Sequence, residues 1–169
     1  WAGYRVLVIN PFGIPEIKQF GNARFNVFDL FNIYTPGFSS FVDMVLYALI
    51  PASTKQDDFF DNAGRELIRF HIGYMMIQDQ EPKTFRTLYN WLHLAGKARH
   101  DLLLKMVDCT GLDGVVRAGA MSIIGLLDDD AGKTVGNIYK SATQAISVYG
   151  DTQLRNSVSG SDFTLQDIA

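Results

Sequence analysis

Phe60, Ala63, Leu67, Phe70, Tyr74 and Ile77 recur at spacings of 3, 4, 3, 4 and 3. That is the period of an α-helix with one apolar stripe, whereas a strand changes face at every residue. A helix of this length with an apolar stripe has to bury it against other elements. The remaining sequence supplies further helices. Ser40 with Asp43 resembles an N-cap pair, and FVDMVLYALI runs from Phe41 to Ile50 before Pro51 stops it. Pro82 near a start, an apolar row of Phe85, Leu88 and Leu92, and Gly96 at the C-terminal end mark another helix. One more covers about 98 to 109 and is broken by Thr110-Gly111. Asp113 is then expected to cap a helix carrying Val116, Ala120, Ile123, Ile124 and Leu127. The last long one, about 130 to 149, places Val135, Ile138, Ala142, Ala145 and Tyr149 on one side. A turn at Gly150, a short helix and an extended end complete the chain.

The N-terminal part reads differently. YRVLVIN, residues 4 to 10, is β-branched and apolar and is stopped by Pro11, so it predicts a strand. From Pro11 to Gly37 no period holds, and an ordered connector pinned by Phe20, Phe25, Phe28 and Phe31 is expected. The fold class is therefore mainly α: a compact bundle of six to seven helices with a single N-terminal strand. As one domain, 1–169 divides into a strand and connecting loop over about 1–37, a helical bundle over about 38–158 and a return segment over about 159–169.

Size and charge narrow the function. A chain of 169 residues with 47% hydrophobic side chains buries on the order of 70% of its unfolded surface without staples. No segment approaches the ~20 apolar residues of a membrane span. The opening WAGYRVLVINPFG carries neither the basic start nor the cleavage site of a signal peptide. The lone Cys109 forms no internal disulfide, which suits a reducing compartment. A formal charge of −3 disfavours a free-standing nucleic-acid binder.

The stretch DDDAGKTVG contains Gly132-Lys133-Thr134, the end of a phosphate-binding loop. The full pattern needs a glycine where Leu127 stands, a strand before it, and no carboxylates in the cradle. Here Asp128, Asp129 and Asp130 would repel a phosphate, and VVRAGAMSIIGLL predicts a helix. The match reads as accidental. His71, His93 and His100 lie at no ligand spacing, and no nucleophile elbow occurs, so no metal and no catalytic residue is assigned. His71 beside the apolar stripe reads as a core histidine. Two acidic clusters, Asp57-Asp58 with Asp61 and Asp128-Asp129-Asp130, are placed at helix starts, where carboxylates satisfy free N–H groups. Exposed, they also offer contacts to a partner. Tyr89 and His93 are i, i+4 neighbours beside an apolar row and are further partner-contact candidates.

The order of motifs resembles the coupling ATPases of type IV secretion and conjugation systems, the TraG/TraD and VirD type. VLVINPFG (6–13) is similar to the end of a motor-domain strand in these proteins. FNVFD (25–29) is similar to the loop that follows, with Val27 where the family has proline. FFDNAGRELI (59–68) resembles the family's Phe-Trp helix, with Phe60 in place of tryptophan, and SGSDFTLQDI (159–168) resembles its closing phrase. The resemblance implies the all-alpha domain inserted between nucleotide-binding motifs, so that the orphan strand is left from the motor domain. It also implies a hexameric parent at the bacterial inner membrane, facing the cytoplasm, whose ATP and Mg are held outside these residues. The implied task is recognition of relaxase or secreted effector proteins, with other secretion-system components as further partners. A DNA contact through Arg86, Lys97, Arg99, Lys105, Arg117, Lys133 and Lys140 is the alternative, and a nucleotide hydrolase built on Lys133 the third reading.

Overall fold

A computed structural model describes residues 6–52, 59–129 and 131–167. Among them the α-helices are α1 (Phe38–Leu49), α2 (Phe59–Ile77), α3 (Phe85–Leu92), α4 (Gly96–Val107), α5 (Val115–Asp128), α6 (Gly132–Ala145) and α7 (Thr152–Ser157), with short 3-10 turns between and around them. The helix α2 is central and packs against α1, α3, α5 and α6. Its stripe is correspondingly only part of its buried surface. Leu67 and Phe70 are in the core, but so are Ile68, Ile72, Met75 and Met76, which lie off the stripe. Each fully buried side chain of this size contributes roughly 1.5–3 kcal/mol. At the helix start Phe60 is 40% exposed, with its ring edge-on to Phe59 at 5.1 Å.

The apolar rows of α5 and α6 bury as their spacing predicts: Val116, Ala120 and Ile123 on one, Val135, Ile138 and Ala142 on the other. The expected sixth helix is shorter than 130–149. It ends at Ala145 and tightens into a 3-10 turn, Ser147–Gly150, that lays Tyr149 flat on Phe85 at 4.1 Å.

Several boundaries differ from expectation, each for a backbone reason. Helix α1 starts at Phe38 on Gly37, whose φ of 87° reverses the chain, so Ser40 and Asp43 sit inside the helix rather than at its cap. Asp43 instead pairs with Arg69 at 2.6 Å. Gly96 opens α4 and does not close α3, which is followed by His93 at its C-cap. Asp113 does not cap α5: Leu112, Asp113 and Gly114 all have positive φ (52°, 53° and 79°), and Gly114 is the N-cap.

Residues 6–10 form no strand, and residues 4 and 5 lie outside the described residues. A strand needs a partner ladder. Here Ala23 N–H donates to Val8 C=O at 2.7 Å, and the backbone N–H of Asn10 goes to the Asn22 side chain at 2.8 Å. The connector is held by buried amides as much as by aromatics. Asn10 bridges Ile14 through both its side-chain atoms, and Asn26 donates to Asp29 and to Lys83 C=O. Phe28 and Phe31 pack onto α1 through Phe41, and Phe25 stacks on Phe163 at 5.2 Å, but Phe20 is 65% exposed and pins nothing. The return segment is fastened to the connector: Arg24 N–H donates to the Asp162 carboxylate, and Asp162 N–H donates back to Arg24 C=O at 3.0 Å.

Candidate functional site

Small side chains shape the surface between α2 and α5. On α5, Ala118, Gly119 and Ser122 face α2, and on α2 Ala63 faces back. Gly119 lies against the Phe70 ring, and Gly73 lies against Leu112 and Val116 at the other end, so the two helices run antiparallel. Where the residues are small the helices leave a groove. It has a volume of about 540 Å³, with walls of Phe59, Leu67, Phe70, Val115, Ile123 and Leu126. Phe59 is 56% exposed and Val115 46%, an unusual outlay of apolar surface along one seam. Val115 also borders a second cavity of about 210 Å³, lined by Phe38, Ser39, Val42, Arg69, Gly73, Leu112 and Asp113. The two share Val115, and the groove and this cavity together make up the furrow that flanks α2.

Its charge is uneven. Partial burial pushes the Arg69 guanidinium down in pKa, but a hydrogen bond from it to Asp43 and the nearby Glu66 outweigh this and hold it above its ordinary value. Arg69 is thereby occupied by two carboxylates, at 2.6 Å and 3.2 Å. Asp43, Glu66 and Asp113 against one guanidinium leave a formal charge of −2 at the furrow's middle and far end.

The described candidates read from sequence lie elsewhere. Asp61 points away from the groove toward α6, where Ser141 Oγ donates to its carboxylate at 3.2 Å. Asp128 and Asp129 are exposed but end α5 rather than start α6. The apolar row through Leu126 and Leu127 carries α5 onward to them, so they meet the negative end of its dipole, which is unfavourable by about 0.3–1 kcal/mol each. The N-cap of α6 is Ala131, with no side-chain cap. Asp57, Asp58 and Asp130 lie outside the described residues. Tyr89 and His93 do come together: the rings stack at 4.0 Å, and the His93 Nδ1–H donates to Tyr89 C=O at 2.8 Å. Arg155 approaches the Tyr89 ring at 5.8 Å. This pair is on α3, which contributes nothing to the groove walls.

Gly132 and Lys133 form the first turn of α6, and helix α5 precedes them. Leu127 lies within that helix, where a nucleotide loop would place a glycine after a strand. Among the described residues, no three His, Cys, Asp or Glu side chains converge on one point. His71 is 1% exposed, with Nδ1–H donating to Leu67 C=O at 2.7 Å. Its Nε2 and the neighbouring Tyr139 hydroxyl are buried without a hydrogen-bond partner among the described residues. Burial pulls the His71 pKa down to about 4, the Leu67 carbonyl opposes this, and the nearby Arg99 adds to it. Arg99 lies 3.8 Å above the Tyr139 ring and donates to Leu94 C=O, which takes it out of any surface basic patch. No single helix among the described residues is long and apolar enough to cross a membrane.

The groove had a signal in the sequence. The run AGAMS at 118–122 places small residues along one helical face, but which helix opposes it is a tertiary fact. A family model described as Type IV secretory system Conjugative DNA transfer matches residues 2–169. No curated protein and no solved structure matches the chain.

Proposed function

The chain belongs to the type IV secretory system family of conjugative DNA transfer, and from that premise we propose that it is a non-catalytic recognition domain of a coupling ATPase, docking a relaxase or secreted effector for translocation. The observation that carries this reading is the furrow between α2 and α5, an exposed apolar surface with acidic flanks. Grooves of this kind take up partner segments through apolar anchors, whereas catalysis calls for converging titratable groups. ATP and Mg belong, in this proposal, to motor-domain residues of a hexameric parent anchored at the inner membrane, with this domain on its cytoplasmic side. The net charge of −3 supports protein over DNA as the partner.

The basic residues weaken the DNA reading further. Arg86, Lys97, Lys105, Arg117, Lys133 and Lys140 are exposed but distributed over α3, α4, α5 and α6, and Arg99 is turned onto Tyr139. The test is titration of isotope-labelled chain with the relaxase, or with the C-terminal region of a secreted protein, of the same transfer system. Residue-specific shifts that saturate are expected. An unchanged spectrum with every such protein, alongside salt-sensitive DNA binding, overturns the proposal in favour of DNA.

A further inference from the structure

We propose that the α2–α5 furrow receives one amphipathic helical segment of the transported protein, bearing an apolar row and basic residues beside it. This rests on the docking reading and names the site and the chemistry within it. The furrow follows α2 from Phe59 to Gly73, which at 1.5 Å per residue is about 21 Å, or four helical turns. An amphipathic helix of that length lays down an apolar row at i, i+4, i+7 and i+11. The floor of Ala63, Ala118, Gly119 and Ser122 lets its backbone approach closely, and Phe59, Val115 and Leu126 wall its apolar side chains.

Charge selects the sign of the flanks. Glu66 and Asp113 are exposed and Asp43 is partly so, while Arg69, the one cation lining the furrow among the described residues, already serves two carboxylates. A basic flank meets this net negative edge favourably, and an acidic one is repelled. The same argument disfavours a second copy of this chain, which would bring its own acidic edge and a formal charge of −3.

The experiment titrates the intact chain, wild type and variants, with the relaxase and with a secreted protein of the same system, by calorimetry and amide shifts. Ala118→Trp fills the groove from an exposed position, Glu66→Gln removes one flank charge, and Gln144→Ala, exposed on α6 outside the lining, is a remote control. Ala118→Trp is expected to weaken binding at least about tenfold and Glu66→Gln about threefold, with Gln144→Ala unchanged. Shifts should map to Ala63, Ala118, Gly119 and Ser122. Wild-type binding that Ala118→Trp leaves intact overturns the groove while leaving the docking reading standing. A wild-type chain that binds neither protein overturns the docking reading itself. A wild-type dimer that Ala118→Trp dissociates replaces the transported segment with a second copy.

Discussion

Two glycines of one helix should respond to the same substitution with opposite sign. Gly119 and Gly125 both lie inside α5, where Gly→Ala ordinarily stabilises by about 0.8–1 kcal/mol through backbone entropy. At Gly125 nothing lies within 4 Å of the added methyl, so that gain should appear in full. At Gly119 the methyl would stand 2.7 Å from Phe70 Cγ and 3.0 Å from Phe70 Cβ, against an ordinary carbon contact of about 3.5–4.0 Å. Phe70 borders the groove, but its Cβ is fixed to the α2 backbone, so rotating the ring into the groove cannot relieve the contact at 3.0 Å. Overpacking of this kind costs about 1–3 kcal/mol. With the clash reaching back to Cβ, the upper half of that range applies, leaving Gly119→Ala destabilised by about 1–2 kcal/mol after the helix gain. In a chain of this size that lowers Tm by roughly 2–8 °C, whereas Gly125→Ala raises it by a few degrees. Urea unfolding followed by far-UV circular dichroism measures both, with m unchanged. If Gly119→Ala proves as stable as the wild type, or both variants shift the same way, the close α2–α5 approach that shapes the groove is wrong.

Three other outcomes follow from buried and paired polar groups. His71 has its pKa lowered from an unfolded value near 6.5 to about 4, so the unfolded state binds the extra proton between these values. Stability should be flat above pH ~6.5 and fall by about 3 kcal/mol as pH drops to ~4, a slope that His71→Phe removes in pH-dependent denaturation curves. Tyr139→Phe deletes a buried hydroxyl that has no hydrogen-bond partner among the described residues, so stability should hold within about 0.5 kcal/mol or rise, while the Arg99 stacking survives. Asp162 is held down to about pKa 2 by its hydrogen bonds with Arg24, so its contribution is present above ~pH 4 and lost as pH falls through ~2. Asp162→Asn should accelerate amide exchange at Arg24, Phe25 and Asp162 while leaving α2 protected.

Helical period reports which residues face inward but not how many neighbours a helix has. The rows Val116–Ala120–Ile123 and Val135–Ile138–Ala142 were legible because α5 and α6 each bury mainly one face. The stripe on α2 understated its burial, since Ile68, Ile72 and Met75 become core only through four surrounding helices. Helix starts were misread wherever glycine replaced a polar cap: Gly37 and Gly114 supply the backbone reversal that Ser40 and Asp113 were expected to stabilise. Asp128 and Asp129 fall at the end of α5 rather than the start of α6, because the apolar row through Leu126 and Leu127 carries α5 onward. The groove was least legible of all, because Ala118, Gly119 and Ser122 are only a run of small residues until Phe70 and Ala63 are placed opposite them. The end-to-end fastening of Arg24 with Asp162 was likewise a tertiary fact, although both residues fall near the motifs that carry the family resemblance.

The docking account is tested most directly inside a working transfer system. A photo-crosslinking residue at Ser122, exposed on the groove floor, is introduced into the full-length protein and irradiated during transfer. The account predicts a covalent adduct with the relaxase or secreted protein in transit, and its loss when Ala118→Trp fills the groove. An adduct formed only with other subunits of the machinery, or none while transfer proceeds, contradicts it.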